Sequence, residues 1–223
     1  MLTSAADRIN ALPDDAVVLD VGAWASPLPR ADWVVDLFPY STRGMYDYDD
    51  AKRTAERFSE ATWVVRDICG SEPWPFADDQ FDFSVCSQTL EDVRDPIRVC
   101  EQLVRVSKAG YIEVPAPVED LTWGIHGPWV GWSHHHWICE LEGGSLRFSH
   151  KPHLLCAEGR HHPAGTCDVL SPEQRVIQLW WEGSFDFEEV VRVGAEEFDA
   201  WLAGLLDRTR TIDAPRRKRW RRA

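Results

Sequence analysis

The stretch VVLDVGAWASPLPRADWVVDLFPY, residues 17–40, contains two apolar runs separated by a short loop. The first run ends at Asp20 and the second ends at Asp36. Short apolar runs rich in valine are typical of strands that are buried on both faces of a parallel sheet. The stretch therefore predicts two strands of one parallel sheet, each with a carboxylate at its carboxyl end.

Further runs of this kind extend the pattern through the first 115 residues. The full set of strand-like runs is 17–20, 33–38, 63–65, 81–86 and 110–114. The segments between them are long enough for helices. Strands that alternate with helices predict an α/β fold with a parallel sheet.

The clearest helix signal lies in RDPIRVCEQLVRVSKAG, residues 94–110. Asp95 is a suitable N-cap, Pro96 suits the first helical position, and Gly110 follows the end. Four apolar side chains recur at helical spacing: Ile97, Cys100, Leu103 and Val104. This face is predicted to pack on the sheet.

The chain changes character after Pro117. Residues 118–174 are rich in Gly, His, Trp and Pro, and WICELEGGSLRFS predicts a hairpin that turns at Gly143 and Gly144. Two more strands and a helix are predicted within 175–209, where they would close the sheet. The predicted organisation is one domain over 1–213, with a core at 15–117, an elaboration at 118–174, closing elements at 175–209 and a tail at 214–223.

Composition narrows the class of protein. The chain has 223 residues, of which 44% are hydrophobic and 27% charged, and no apolar run reaches the length of a membrane span. A net charge of −13 argues against general affinity for nucleic acid or an anionic membrane. The exception is the basic end APRRKRWRRA, residues 214–223, which predicts a solvated, disordered tail or, as the alternative, a site for an anionic partner.

The cysteines and the N-terminal segment indicate the cellular compartment in which the protein is expected. Six cysteines are scattered without a C-x-x-C pair, which favours reduced thiols over a disulfide framework. The opening MLTSAADRINALPDD has neither the basic start nor the apolar core of a secretory signal. A cytoplasmic protein is therefore expected.

Ligands of an open parallel sheet bind beyond the carboxyl ends of the strands, so residues at those ends are candidates for a site. Asp20 and Gly22 follow the first run, and glycine lets a backbone approach a ligand closely. Asp36 lies sixteen residues beyond Asp20, near the distance at which an acid binds a ribose diol.

The next two strand ends continue the series. Asp67 and Ile68 follow the third run, and an acid beside an apolar side chain suits the amino group and the flat face of adenine. The fourth run leads into Ser87 and Gln88. A single acid in such a place is more often a helix cap or a loop residue. Three acids at three successive strand ends favour an adenosine-containing ligand.

Four segments of the chain together resemble class I S-adenosylmethionine-dependent methyltransferases. They are VLDVG, VVDLFPY, RDICGSEPWPFADDQFDFSVCSQTLEDVRDP and VRVSKAGYIEVPAP. The chain is most similar to a bacterial, methyltransferase type 11-like branch in which GYIEVP is followed by an HHRW-like segment. The resemblance covers about residues 15–150. It implies a Rossmann-like sheet, mostly parallel, with helices on both faces, a His/Trp-rich elaboration after the fifth strand, and S-adenosylmethionine as the cofactor.

The resemblance also implies roles for the residues at the strand ends. Asp20 and Gly22 would line the methionine side of the cofactor, and Asp36 would bind the ribose. For the other positions the implied contacts are adenine for Asp67 and Ile68, and the sulfonium and acceptor side for Ser87 and Gln88. The family's glycine-rich loop has Trp24 and Ser26 in place of two glycines here. Trp24 would cover a wall of the cofactor pocket or fill the core beneath it.

The acceptor side offers several bases. A sulfonium methyl group is already activated, so a base is needed only if the acceptor must lose a proton. The HHHW segment, residues 134–137, matches the HHRW position and makes His135 or His136 an acceptor-side base or ligand. Glu113 within GYIEVP is either an acceptor-pocket carboxylate or an ordinary strand residue.

Two other interpretations of the histidines remain open. In one, they satisfy hydrogen bonds within a Trp-rich elaboration. In the other, several form a metal site, but none of their spacings matches a zinc finger, so no metal is predicted. The residues weighed for that site are His126, His153, His161 and His162, with Cys156 or Cys167.

The predicted function is methyl transfer from S-adenosylmethionine to a small-molecule or glycan acceptor. A noncatalytic binding module on the same fold is the alternative, suggested by Trp24 and Ser26 in the loop. An NAD-dependent oxidoreductase is a further alternative, because Asp36 would also suit the ribose of NAD. The sequence leaves the oligomeric state open.

Overall fold

The computed structural model describes residues 1–210, so the basic tail at 214–223 lies outside the described residues. Nine strands are formed in this part of the chain: β1 (Val18–Val21), β2 (Trp33–Asp36), β3 (Trp63–Val65), β4 (Phe83–Ser87), β5 (Ala109–Pro115), β6 (Trp137–Glu142), β7 (Ser145–His150), β8 (Val176–Glu182) and β9 (Asp186–Glu189). The α-helices are α1 (Thr3–Asn10), α2 (Asp50–Ala55), α3 (Pro96–Val106), α4 (Pro117–Asp120) and α5 (Ala195–Thr209).

The main sheet has six strands in the order β3-β2-β1-β4-β5-β8. Strands β1 to β5 are parallel, and β8 is antiparallel to β5. The strand order reverses between β1 and β4, which is the place where α/β sheets bind ligands. The predicted mostly parallel α/β sheet is confirmed.

Helices cover both faces of this sheet, as predicted. On one face, Ala5 and Ile9 of α1 pack against Val18 and Val34. On the other face, α3 packs against β1, β4 and β5. Asp95 caps α3 by accepting a hydrogen bond from the Arg98 amide at 2.9 Å.

The buried stripe of α3 is shifted from the predicted one. Its fully buried apolar members are Val99, Cys100, Leu103 and Val106. Ile97 and Val104, which the pattern placed on the same face, are only half-buried. The buried face differs because Val99 and Val106 lie one helical turn before and after Leu103, and all three pack into the sheet.

The connection from β1 to β2 contains no helix, although its length had suggested one. Residues 22–32 form a loop instead. Pro27 and Pro29 explain this, because proline interrupts helical hydrogen bonding and forces the residue before it toward an extended conformation. The loop consequently folds back over the strand ends.

A second, three-stranded sheet with the order β6-β7-β9 forms much of the elaboration. The predicted hairpin is confirmed, and Gly143 and Gly144 both have positive φ angles, +61° and +90°. Strand β9 pairs with β7 and not with the main sheet. Only β8 therefore closes the main sheet, while Phe187 of β9 packs beside Leu146 of the second sheet.

Helix α5 packs against the elaboration rather than on the main sheet. Its buried leucines Leu202, Leu205 and Leu206 form one cluster with Leu121 and Ile138. Over residues 1–210, the helices are too short or too polar to cross a lipid bilayer. The C-terminal elements thus stabilise the part of the fold that carries the HHHW segment.

Candidate active site

A cleft of ≈1190 Å³ opens at the carboxyl ends of β1, β4 and β5. This volume exceeds the roughly 300–1,000 Å³ of an ordinary small-molecule pocket. Six residues singled out from the sequence line it: Asp20, Gly22, Ser87, Gln88, Glu113 and His135. We call the surface of Asp20, Gly22, Ser87 and Gln88 the cofactor wall.

Asp20 is the acid of the cofactor wall and is buried, with 5% of its surface exposed. One carboxylate oxygen accepts a hydrogen bond from the Leu28 amide at 2.8 Å. Burial raises the pKa of Asp20 to about 7; the Leu28 amide opposes this effect and the negative charge of Asp36 adds to it. A cation beside Asp20 would relieve this cost.

Gly22 lets the loop after β1 pack closely against the segment after β4. Its φ angle is +70°, and a Cβ at this position would lie 2.2 Å from Cγ2 of Thr89. The Thr89 hydroxyl donates to the carbonyl oxygen of Gly22 at 3.3 Å. Only glycine fits this contact, so the first glycine of the loop has a structural reason as well as a functional one.

Glu113 organises the end of β4. Its carboxylate accepts hydrogen bonds from Tyr111 Oη at 2.6 Å, the Leu2 amide at 2.9 Å, Gln88 Nε2 at 3.2 Å and Ser87 Oγ at 3.3 Å. Burial alone would raise the pKa of Glu113, but the bonds from Tyr111 and Leu2 outweigh it and the pKa is lowered. Glu113 is therefore ionised at neutral pH and suited to positioning its neighbours rather than to accepting a proton.

Gln88 has a positive φ angle of +54°, which is uncommon outside glycine. The backbone amide of Gln88 donates to the Glu113 carbonyl oxygen at 2.8 Å, in addition to the hydrogen bond between the two side chains. Strained backbone held by several hydrogen bonds is frequent at functional sites. The bonds to Glu113 thus hold Gln88 at the edge of the cleft.

Asp36 and Trp24 lie beside the cleft and not in its lining. The two Asp36 oxygens accept hydrogen bonds from the amides of Trp24 at 2.9 Å and Phe38 at 2.8 Å. The Trp24 ring packs on Phe38 with 4.6 Å between centroids, and its indole nitrogen donates to Thr42 Oγ1 at 3.0 Å. The acid predicted to bind ribose therefore holds the loop that replaces the first crossover helix.

Asp67 and Ile68 also lie outside the cleft lining. Asp67 forms an ion pair with Arg94 at 2.6 Å, and the hydrogen bond from Arg94 lowers the pKa of Asp67. The Ile68 side chain is buried in the main core, and its carbonyl oxygen accepts from Trp74 Nε1 at 3.0 Å. The residues predicted for adenine are thus engaged with the protein itself.

Two residues of the HHHW segment, His134 and His135, also line the cleft. His135 is buried, with Nδ1 3.0 Å from Asp120 Oδ1 and Nε2 3.8 Å from Asp92 Oδ1. His134 is half-exposed, and its Nε2 lies 3.9 Å from Asp92 Oδ2. We call Asp92, His134 and His135 the acceptor wall. His136 is exposed and is not among the residues that line the cleft.

Asp92 and Asp120 were not identified from the sequence. Asp92 stands within the LED segment quoted for the resemblance, but nothing local marked it as a partner of histidine. Asp120 ends α4 and is bound by Lys151 Nζ at 2.9 Å as well as by His135. Burial raises the pKa of Asp92 to about 6, while His135 lowers it and Asp120 raises it.

Among the described residues, the side chains weighed for a metal site do not form one group of ligands. His126 Nδ1 lies 3.0 Å from Ser133 Oγ, and His162 Nε2 lies 2.7 Å from Thr209 Oγ1. Within residues 1–210, the group of His, Cys, Asp and Glu side chains whose spacing suits a metal ion is instead Asp92, His134 and His135, with their ligand atoms within 4.8 Å of one another.

Comparison with known proteins gives a match to a family model over about a third of the chain. Residues 35–112, from β2 into β5, match the family model described as a methyltransferase domain. Among solved structures, the YcgJ protein of Bacillus subtilis is similar at 18% identity over 51% of this chain and 50% of its own, with a TM-score of 0.39. No curated protein matches the chain.

Two solved S-adenosylmethionine-dependent methyltransferases are similar to the same extent. The one from Thermotoga maritima has 17% identity over 55% of this chain and 54% of its own, with a TM-score of 0.35. The one from Aquifex aeolicus has 18% identity over 50% and 61%, with a TM-score of 0.36. The chain thus spans about half the length of several of these proteins, and TM-scores of this size transfer no property from them.

Proposed function

We propose that this chain, which matches a methyltransferase domain over residues 35–112 and has a mostly parallel sheet, transfers a methyl group from S-adenosylmethionine to a small-molecule or glycan acceptor. The observation that carries the proposal is the position of the cleft. It opens where the strand order reverses between β1 and β4, and both ends contribute polar residues to it.

The cofactor wall suits the methionine half of S-adenosylmethionine. The ammonium group of that half would supply the cation that buried Asp20 lacks. Gly22 leaves the backbone accessible, and Ser87 with Gln88 would face the sulfonium and the acceptor. These are the residues that we assign to this half of the cofactor.

We assign the ribose to Asp36. A carboxylate has about four acceptor sites, and the amides of Trp24 and Phe38 use two of them. Contact with a ribose requires the loop around Trp24 to move aside. Asp67 and Ile68 are assigned to the adenine on the family resemblance alone.

The acceptor wall supplies the second ligand site. The cofactor brings an activated methyl group, so the protein chiefly has to align an acceptor atom with the methyl carbon and the sulfur. His135 is the residue we place against the acceptor, because Asp120 fixes its ring through Nδ1 and leaves Nε2 directed toward Asp92. Glu113 contributes by positioning Ser87 and Gln88, and His136 has no role in this proposal.

We place the protein in the cytoplasm and expect it to act on polar acceptors other than nucleic acids. All six cysteines are free thiols, and five of them are buried. The net charge of −13 opposes association with a polyanion. An acceptor of the small-molecule or glycan class is compatible with the size of the cleft.

Calorimetry with S-adenosylmethionine and S-adenosylhomocysteine tests the cofactor. NAD serves as the comparison ligand. Asp36→Ala is expected to weaken binding, whereas Asp186→Ala, which removes an exposed carboxylate of β9, is the matched control. Absence of binding by the unchanged protein at millimolar cofactor would refute the proposal.

Transfer itself is tested with S-adenosylmethionine labelled in the methyl group. The protein is incubated with a panel of hydroxylated, amino and glycan acceptors, and labelled product is counted. Label in at least one acceptor supports the proposal. Tight cofactor binding with no labelled product across the panel would favour a noncatalytic binding module.

A further inference from the structure

We propose that Asp92, His134 and His135 bind a divalent first-row transition-metal ion such as Zn²⁺ on the acceptor wall of the cleft. Each residue offers one ligand atom, and these atoms lie within 4.8 Å of one another. Two imidazoles and one carboxylate form a common donor set for catalytic zinc. The site stands on its own geometry and does not depend on methyl transfer.

The distances are close to those of a bound ion. Ligand atoms at ~2.0–2.2 Å from a tetrahedral metal are separated from each other by roughly 3.3–3.6 Å. Asp92 Oδ1 lies 3.8 Å from His135 Nε2, Asp92 Oδ2 lies 3.9 Å from His134 Nε2, and the three ligand atoms lie within 4.8 Å of one another. Closing the site therefore needs shifts that range from a few tenths of an ångström to about 1 Å. The larger movement falls on His134, whose side chain is 52% exposed.

The contacts behind His135 match those of a metal ligand. Asp120 Oδ1 accepts a hydrogen bond from Nδ1 of His135. Nδ1 therefore carries the proton, and Nε2 presents its lone pair. Lys151 Nζ holds the same Asp120 oxygen at 2.9 Å and also donates to the Trp132 carbonyl oxygen at 2.8 Å. The imidazole is thereby fixed in the tautomer and orientation that a metal needs.

The charges around the site point independently to a cation. Asp92 Oδ1 is buried and accepts no hydrogen bond among the described residues, and the same is true of Glu91 Oε2. Glu91 and Asp120 are each 1% exposed. Lys151 is the cation bonded to Asp120, so a divalent ion would offset the negative charge of the Asp92 carboxylate.

Three protein ligands leave one coordination position open, as in catalytic zinc sites. All three residues line the cleft that also contains Ser87 and Gln88, so the open position faces the second ligand. On the basis of the proposed function, the occupant is an acceptor with an oxygen donor. Binding to the metal lowers the pKa of an acceptor hydroxyl, which then releases its proton to solvent. The oxygen bonds to the methyl carbon, the carbon–sulfur bond breaks, and its electron pair stays on sulfur.

Metal titration tests the site in the purified full-length chain after EDTA treatment and dialysis. Zn²⁺ binding is followed by calorimetry, and Co²⁺ binding by its visible absorption, which reports a nitrogen–oxygen environment of four or five ligands. One ion per chain is expected. His134→Ala and Asp92→Asn should each weaken binding at least about tenfold, and the half-exposed position of His134 makes that variant safe for folding.

Two control variants remove competing ligands. His153→Ala removes an exposed histidine and Cys156→Ser removes the exposed cysteine, and neither should change the affinity. The proposal is overturned if the unchanged chain binds no stoichiometric Zn²⁺ at 100-fold molar excess. It is equally overturned if His134→Ala and Asp92→Asn bind as well as the controls. Cofactor calorimetry on the same samples separates this result from the methyl-transfer proposal.

Discussion

Replacing Asp20 by asparagine should remove a cost of folding that grows with pH. The carboxyl is 5% exposed, and burial raises its pKa from the ordinary 3.8 to about 7. Between these two values the folded chain binds more protons than the unfolded chain, so the free energy of unfolding falls as pH rises. Asparagine keeps an oxygen for the Leu28 amide but carries no charge.

The size of the effect follows from the pKa difference. A difference of about three pH units corresponds to about 4 kcal/mol at high pH, since each unit is worth ~1.4 kcal/mol. Roughly half of this, ~2 kcal/mol, is expected between pH 5.5 and pH 8. The free energy of unfolding of Asp20→Asn, relative to that of the unchanged protein, should therefore increase by ~2 kcal/mol from pH 5.5 to pH 8.

Urea unfolding of both proteins at several pH values measures the difference. Asp82→Asn is the control, because Lys108 lowers the pKa of Asp82 and that variant should lose stability by an amount that does not change between pH 5.5 and pH 8. Parallel curves for Asp20→Asn and the unchanged protein would refute the reasoning. Saturating S-adenosylmethionine should shrink the difference, because its ammonium group would favour the ionised carboxylate.

Three further changes test other parts of the site. Gly22→Ala should lower the free energy of unfolding in urea by at least ~2 kcal/mol. Gly143→Ala, where φ is similar but no atom lies near the added Cβ, should lower it by about 1 kcal/mol. Equal losses would contradict the predicted clash between a Cβ at position 22 and Thr89. Lys151→Met should cost about 3–5 kcal/mol because it leaves Asp120 buried without its cation, and a loss under ~1 kcal/mol would show that the pair is not buried. Trp24→Phe should change cofactor affinity by less than about twofold in calorimetry, and a tenfold loss, ~1.4 kcal/mol, would place the indole against the ligand.

The main sheet could be predicted because its strands are buried on both faces and must be continuously apolar. The run at 63–65 coincides with β3, and the others agree within two residues at most ends. The start of α3 was equally local, since Asp95 and Pro96 define it by themselves. The pairing of β9 with β7 was not predictable in this way, because partner choice depends on which surface remains uncovered after folding.

The residues of the candidate site also differ in whether the sequence could predict them. Asp20 and Gly22 could be placed because a site at strand ends follows from sheet topology. Asp92 and Asp120 are far apart in the chain and meet only through His135, so no sequence pattern connects them.

For Asp36 the sequence predicted the position but not the hydrogen-bond partners. Its position at a strand end was correct, but its hydrogen bonds to backbone amides depend on how the proline-containing loop folds back.

The two histidines of the acceptor wall and the cofactor wall are attached to different sheets. The cofactor wall and Asp92 follow strands of the main sheet, whereas His134 and His135 precede β6 of the second sheet, whose edge strand and supporting helix come from the end of the described chain. The Glu91 carbonyl oxygen links the two by accepting the amides of His136 and Trp137. Under the proposed function, substitutions that remodel the second sheet would change which acceptor is recognised while the proposed cofactor half stays constant. An engineer seeking a new acceptor would diversify the elaboration and leave β1 to β5 untouched.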